Sequence, residues 1–330
     1  MKIIYKIILV FSLIILSILS YKISSKKIKG DISLPEPKLR YNFYHDIDYK
    51  NSSLKLDIYQ PKNRTKGKSP VVIYVHGGAW DKGDKLLIKK NFRAYILQEL
   101  LENEFTVISI DYTLLNKNTH LEKPLEDTKN AIKWISENAE QYNLDINNMG
   151  IWGGSAGAHI ALLTAYNQKK TDTADTNHPY PKLKYVVDFY APTNLNALFN
   201  TNANSLMLGI FKIYSPTSYK TRHEKMIQLT GFDIDTQKDQ VIKKNSDYSP
   251  MTYVSKSTVP TLIFHGTEDS VVSITQSQQL EEALKSHKVP YKFYTVENAK
   301  HTFGNLNLSE AKDISKKTVD FIKSHTTYDY

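Results

Sequence analysis

The stretch GGSAG, residues 153–157, follows a short apolar run at 149–152 and precedes a helical-looking segment at 158–166. The pattern G-x-S-x-G predicts that Ser155 is a nucleophile on a sharp turn between a strand and a helix, because the two outer glycines leave room around a strained residue. The pattern alone also fits an ordinary glycine-rich turn. Its meaning therefore depends on the rest of the chain.

Strand-like and helix-like runs alternate on both sides of this stretch. Strands are predicted at Leu54 to Tyr59, Pro70 to Val75, Phe105 to Ile110, Met149 to Trp152, Tyr185 to Tyr190, Pro260 to His265 and Tyr291 to Val296, and helices near 85–104, 125–141, 276–286 and 310–324. Such alternation predicts an α/β fold, with a mostly parallel central sheet and helices on both faces. Catalytic loops are then expected beyond the carboxyl ends of the strands.

The alternation fails between about residues 195 and 245. The stretch Leu206 to Phe211 is apolar without strand spacing, which predicts a helical cap insertion that covers the site. The alternative is a helical excursion with no part in substrate choice.

The charge of the chain is unevenly distributed. The 330 residues carry a net charge of +9, but residues 1–30 contain six lysines and no acidic residue. Without those six, 37 of the 43 basic residues remain against 34 acidic ones. The basic excess belongs mainly to the N-terminal segment, and we predict no nucleic-acid partner.

Residues 1–30 have the pattern of a signal peptide or an N-terminal membrane anchor. Two early lysines precede the apolar run Ile7 to Leu19, which only two serines interrupt. The absence of an A-x-A-like cleavage site favours an uncleaved anchor, whose orientation the lysines leave open. The chain is expected to be exported to the periplasmic or extracellular side, or anchored to a membrane. Residues 31–50 are predicted to be a tether and entry segment, and residues 51–330 the folded domain.

Several chemistries lack the residues that they need. The chain has no cysteine, so disulfides, zinc–thiolate sites and a cysteine nucleophile are excluded. It also lacks an H-E-x-x-H motif, and Gly67-Lys68-Ser69 lacks the earlier glycine of a phosphate loop. We predict no metal and no cofactor.

A second glycine-rich loop supplies candidate donors for an oxyanion. The predicted strand Pro70 to Val75 ends directly in HGGAW, residues 76–80. Backbone N–H groups of Gly77 and Gly78, together with that of Ala156 after the serine, can point at one carbonyl oxygen. A simple Gly-Gly turn is the alternative.

The base and its carboxylate partner are chosen by position. His301 stands in the loop after the last predicted strand, and Asp269 stands in the loop after the strand before it; Glu268 ranks second as the carboxylate. The order Ser155, Asp269, His301 is that of a catalytic triad in which the carboxylate orients the imidazole. Other histidines have ordinary expected roles: His265 shapes a turn, His159 packs behind the serine and His76 holds the oxyanion loop.

With these motifs the chain resembles α/β-hydrolase fold carboxylesterases of the hormone-sensitive-lipase-like type, particularly the group of acetyl-xylan and feruloyl esterases and arylformamidases. The resemblance is carried by His76 to Trp80 with Gly83, residues 153–157, Ser249-Pro250, His265 to Asp269 with Val272, and Lys300 to Phe303. It implies the same triad and the same oxyanion donors. The chain departs from many relatives at Ala79, where they have a third glycine, and at Thr113 and Asn194, where they have Arg and Asp.

The expected function is a serine ester hydrolase that forms an acyl-enzyme on a small to medium acyl or aryl ester. Carbohydrate-linked acetyl and feruloyl esters are among the candidate substrates. Two alternatives remain open: an arylformamidase-like or aminopeptidase-like amide hydrolase with the same triad, and a non-catalytic adhesion or scaffold protein on a hydrolase fold. The sequence leaves the oligomeric state open.

Overall fold

The computed structural model describes residues 33–38, 40–50, 54–62, 67–168 and 181–327. Eight strands form one sheet: β1 Tyr41–Lys50, β2 Leu54–Pro61, β3 Ser69–Val75, β4 Thr106–Ile110, β5 Leu144–Gly154, β6 Leu183–Phe189, β7 Thr261–Gly266 and β8 Tyr291–Val296. Their order is β1-β2-β4-β3-β5-β6-β7-β8. The β1–β2 and β2–β4 pairs are antiparallel and the others are parallel. The predicted α/β class and mostly parallel sheet are confirmed.

The helices connect these strands and cover the sheet. They are α1 Phe92–Glu102, α2 Glu122–Glu137, α3 Ala156–Tyr166, α4 Leu195–Leu198, α5 Ser205–Tyr214, α6 Pro216–Thr230, α7 Lys238–Asp247, α8 Thr275–Ser286 and α9 Leu308–Ser324. Short 3₁₀ turns lie at Lys85–Lys89, Pro250–Tyr253 and His301–Phe303. The single helix expected near 85–104 is therefore two elements, because Asn91 between them has φ 53° and ψ −144°, outside the helical region.

Strand β3 shows how the core is built. All seven of its residues are buried, which is why it reads as a continuous apolar run rather than an alternating one. Val71, Ile73 and Val75 pack into the cluster that contains residues of α2 and α3, whereas Val72 and Tyr74 pack into the cluster that contains residues of α1 and α9. The sheet thus separates two hydrophobic layers.

The start of the domain differs from the prediction. Residues 41–50, assigned to the entry segment that ends at residue 50, form β1, which pairs with β2 from Tyr41↔Pro61 to Lys50↔Leu54. Most of β1 is exposed, and it gains its place through backbone pairing at the edge of the sheet rather than through an apolar face. A strand of this kind leaves little hydrophobic signal in the sequence.

The predicted signal or anchor at residues 1–30 lies outside the described residues. None of the helices in the part that is described combines the length and the apolar character that a membrane crossing requires. Between β6 and β7, where short helices were expected, the chain forms α4 to α7.

Two glycines test the packing of this fold. A Cβ at Gly150 in β5 would collide with the buried ring of Tyr185, whereas a Cβ at Gly209 in α5 would meet nothing within 4 Å. We expect Gly150→Ala to lower the free energy of unfolding by about 1–3 kcal/mol through overpacking. Gly209→Ala is expected to raise it by up to about 1 kcal/mol, since alanine is the better helix former. Urea unfolding of both variants measures the difference, and a neutral Gly150→Ala would contradict the packing described.

Candidate active site

Ser155 occupies the turn between β5 and α3. Its backbone has φ 56° and ψ −123°, a conformation that costs a non-glycine residue about 1–3 kcal/mol. The Ser155 N–H donates to the carbonyl oxygen of Phe189 at 2.8 Å, and the Ser155 carbonyl accepts from the N–H of His159 at 2.9 Å. Hydrogen bonds on both sides therefore hold the strained residue in place.

The glycines of the stretch are required by space. A Cβ at Gly153 would lie 2.5 Å from the carbonyl carbon of Gly157, and a Cβ at Gly157 would lie 2.5 Å from the carbonyl oxygen of His76 and would also collide with that of Val75. Real Cβ atoms do not approach other atoms so closely. The turn thus packs directly on the end of β3, and the glycine spacing permits this contact.

The structure brings the three predicted triad residues together. The Nε2 of His301 lies 2.9 Å from the Oγ of Ser155, and its Nδ1 lies 2.7 Å from the Oδ2 of Asp269. The residues come from three loops, which follow β5, β7 and β8. Glu268, the second-ranked carboxylate, is exposed.

Asp269 is fixed as a buried carboxylate. Its Oδ1 accepts hydrogen bonds from the backbone N–H groups of Val271 and Val272, both at 2.9 Å. Burial opposes ionisation, but hydrogen bonds from His265 and His301 hold the pKa of Asp269 well below its usual range. A charged Asp269 keeps the proton of His301 on Nδ1, which leaves Nε2 to accept the proton of Ser155.

His265 supports this loop, as its position at the end of β7 predicted. Its Nε2 lies 2.8 Å from the carbonyl oxygen of Val272 and 3.3 Å from the Oδ2 of Asp269, while its Nδ1 lies 2.7 Å from the Oγ of Ser277. The ring therefore spans the turn between β7 and α8.

His76 and His159 are both buried and uncharged. The Nδ1 of His76 lies 2.8 Å from the carbonyl oxygen of Gly77, and the ring stacks on Tyr112 at 4.1 Å. The Nδ1 of His159 accepts from the indole N–H of Trp80 at 3.2 Å, and its Nε2 donates to the Tyr248 carbonyl at 2.7 Å. Burial lowers the pKa of each imidazole to about 4. Neither ring reaches the oxygen of the serine.

Two of the three predicted oxyanion donors, Gly77 and Ala156, lie beside the serine, and Gly78 follows Gly77 in the same loop. A Cβ at Gly77 would lie 2.6 Å from the Gly154 carbonyl oxygen and 3.7 Å from the Cβ of Ser155, so this part of the loop runs against the turn. Gly78, Ala79 and Trp80 follow with φ of 125°, 50° and 65°. Ala156 begins α3 directly after the serine. Ala79, which stands where the family pattern has a third glycine, thus adopts a left-handed backbone conformation.

A cavity of about 770 Å³ opens onto Ser155. One wall is apolar and comes from α4, α5 and their connection, with Phe199, Met207 and Phe211 among its residues. The insertion between β6 and β7 therefore covers the serine. A second, polar wall comes from α6.

The apolar stretch Leu206 to Phe211, on which the predicted cap was based, gave no indication of this polar wall. The residues of this wall include Thr221 and Arg222, which lie one turn of α6 before Lys225. Lys225 donates to the carbonyl oxygen of Ala79 at 3.0 Å and pairs with Asp81 at 2.5 Å, and so ties the cap to the oxyanion loop. The helical spacing of these polar residues was the available signal.

One group of metal-binding residue types occurs in the described part of the chain. His223, Asp233 and Asp235 offer three atoms within 4.8 Å of one another. The two ring nitrogens of His223 face different carboxylates, at 3.2 Å and 3.8 Å. This is the geometry of an ion pair at the surface of the cap, away from the cavity lining, and we assign it no part in the chemistry.

A buried neutral histidine makes stability depend on pH. Between pH 4 and 6.5 the unfolded chain protonates His159 and the folded chain does not, so this group lowers stability as the pH falls through that window. Burial raises the pKa of Asp188 to about 7, so this group acts in the opposite direction. The contribution of His159 is therefore measured as the difference in stability between the wild type and a His159 variant. We expect the stability of His159→Gln to depend on pH less steeply than that of the wild type, by up to about 1.4 kcal/mol per pH unit. Urea unfolding at several pH values tests this, and parallel curves would contradict it.

Comparison with known proteins agrees with the fold and points to one family. A family model described as BD-FAE matches residues 56–284. Esterase LipQ of Mycobacterium tuberculosis is 27% identical over 304 residues, which cover 88% of this chain and 64% of LipQ, so the chain spans less than two thirds of that relative.

Solved structures show the same architecture. A truncated carbohydrate esterase from gut microbiota superposes with a TM-score of 0.66 at 22% identity, covering 88% of this chain and 100% of the other. Esterase B from Lactobacillus rhamnosis superposes with a TM-score of 0.67 at 20% identity, covering 95% and 94%. At these identities the likeness supports the fold alone.

Proposed function

The chain belongs to the BD-FAE family, and from this premise we propose that it is a serine ester hydrolase that works through an acyl-enzyme. The observation that carries the proposal is the continuous hydrogen-bonded path from the Oγ of Ser155 through both nitrogens of His301 to Asp269. A serine hydroxyl is a weak nucleophile at neutral pH, and a base at 2.9 Å supplies the activation that it needs.

The proposed reaction has two halves. The Nε2 of His301 takes the proton of Ser155 as its Oγ attacks the ester carbonyl, and Asp269 stabilises the imidazolium that forms. His301 then donates this proton to the leaving alcohol, and the acyl group stays on Ser155. Water attacks the acyl-enzyme with His301 again as base, which releases the acid and restores the serine.

The negative charge on the former carbonyl oxygen needs fixed donors. We propose that the N–H groups of Gly77, Gly78 and Ala156 supply them. Loss of one such donor typically costs about 3 kcal/mol of transition-state stabilisation. The strained φ of Ala79 and the bond from Lys225 to its carbonyl are consistent with a loop held in one conformation for this task.

The cavity suggests the size of the substrate. A volume of about 770 Å³ with one apolar wall suits a small to medium acyl or aryl group. The name of the superposed carbohydrate esterase supports a carbohydrate-linked ester as a candidate, and the acetyl and feruloyl esters expected from the sequence belong to that class.

A panel of substrates tests the reaction class. We expect the protein to hydrolyse p-nitrophenyl esters of increasing acyl length faster than an aryl formamide or a dipeptide amide. Ser155→Ala should lower ester turnover by at least about 10³-fold, and Asp269→Asn should lower kcat by about 10⁴-fold because the carboxylate that keeps the imidazole proton on Nδ1 is lost. Ser257→Ala, at an exposed serine outside the cavity, is the matched control.

Three outcomes would contradict the proposal. Full activity of Ser155→Ala would remove the nucleophile. Faster turnover of the amides would favour the amide hydrolase instead, and no turnover of any substrate by a folded wild-type protein would leave the non-catalytic alternative.

We also propose that residues 1–30 direct the chain to a membrane, as an anchor or as an export signal. The lysines and the apolar run Ile7 to Leu19 support this. Cell fractionation followed by N-terminal sequencing is expected to find an intact Met1 in the membrane fraction. A mature protein that starts after residue 19 would indicate cleavage instead, and an intact chain in the cytosol would contradict both forms of the proposal.

A further inference from the structure

The wall of the cavity formed by α6 is polar, whereas the wall formed by α4 and α5 is apolar. Hydroxyl groups of Thr217, Ser218 and Thr221 line it together with the cations Arg222 and Lys225. No aspartate or glutamate lines the cavity in the described part of the chain. The cavity next to the serine is therefore lined both by positive charge and by apolar side chains.

The two cations differ in how their charge is compensated. Lys225 pairs with the carboxylate of Asp81 at 2.5 Å, so its charge is balanced within the protein. Arg222 donates from Nε to the carbonyl oxygen of Phe199 at 2.6 Å and from Nη2 to that of Asn200 at 3.1 Å. These acceptors carry no formal charge. Asp235 attracts the guanidinium from a distance, but no carboxylate of the described residues lies within 4 Å of it.

The geometry of Arg222 suits a ligand that arrives from the cavity. Its two carbonyl contacts fix the guanidinium plane, and the other N–H groups of the guanidinium donate to none of the described residues. Burial lowers the pKa of Arg222, which shows that the cation gives up part of its hydration, yet arginine stays charged at neutral pH. A partly dehydrated, pre-oriented guanidinium binds a carboxylate well, through short charge-assisted hydrogen bonds.

We infer that Arg222 binds an anionic group of the substrate, and that the enzyme selects esters in which the acid or the alcohol carries an additional carboxylate. This rests on the proposed function, because it names the substrate class of the same site. The apolar wall receives the hydrocarbon part of such an ester, and the α6 wall receives its charged end. Arg222 is on this view a specificity-determining residue, with no part in the proton transfers of the triad.

Matched pairs of esters test the inference. The acyl pair is the p-nitrophenyl monoester of glutaric acid and p-nitrophenyl pentanoate, which differ by the terminal carboxylate. The alcohol pair is 4-acetoxybenzoate and 4-acetoxybenzamide, which differ by the charge of one group. We expect the wild type to prefer the anionic member of at least one pair, measured as the ratio of the two kcat/KM values.

Variants assign the preference to one residue. Arg222→Gln is expected to lower the anionic-to-neutral ratio by about 10- to 100-fold, and Arg222→Lys to lower it less, since the charge remains but the bidentate fork is lost. Lys220→Gln is the control, because Lys220 is an exposed cation of the same helix that pairs with Glu224 and does not line the cavity. It should keep the wild-type ratio.

The outcomes separate this inference from the one that it rests on. A wild type that prefers the neutral member of both pairs overturns it while ester hydrolysis stands. An Arg222→Gln variant that loses activity on both members equally, at an unchanged ratio, shows a purely structural Arg222 that ties α6 to the loop at residues 199–200. Failure of the wild type to cleave any of the four esters overturns the proposed function itself, and this inference with it.

Discussion

The contact between the serine turn and the end of β3 is the constraint on which the site depends. Gly157 packs on the carbonyl groups of Val75 and His76, so closely that a Cβ at residue 157 would collide with both carbonyl oxygens. Because the chain continues from β3 into Gly77 and Gly78, this contact places a loop with backbone N–H groups beside Ser155. One close approach of two backbones thus sets the relative position of the nucleophile and of the groups that we propose hold the oxyanion.

The parallel sheet supplies the other two members of the triad. Strands β7 and β8 pair in parallel from Thr261↔Tyr291 to Gly266↔Val296, so their following loops emerge at one edge. Asp269 and His301 lie in those loops. The loops themselves are then fixed locally, by the two backbone N–H groups that bind Asp269 and by the ring of His265. The sheet brings the residues near one another, and local hydrogen bonds set the final distances.

Features that leave an apolar run or a motif in the sequence could be predicted, whereas an exposed edge strand and the cap face that lines the cavity could not. Strand β3 and the position of the serine turn follow from apolar runs and glycine spacing, which local sterics dictate. Strand β1 was not predicted because an exposed edge strand has no apolar face. The position of Arg222 in the cavity was not predicted for another reason. A cation on an amphipathic helix reads as a solvated residue, and only the fold shows that this face of α6 looks into the cavity.

Helix α6 links the cavity wall that contains Arg222 to the loop of the proposed oxyanion donors. Lys225 on this helix holds the carbonyl oxygen of Ala79, whose φ of 50° has to be stabilised by its surroundings. Arg222 lies one turn away on the same wall. A shift of α6 would therefore move the substrate wall and the oxyanion loop together. The ion pair between Lys225 and Asp81 resists this shift from a partly buried position, where water screens it less than it would on the open surface. The cap therefore supports the loop that contains Ala79 and Asp81, in addition to covering the serine.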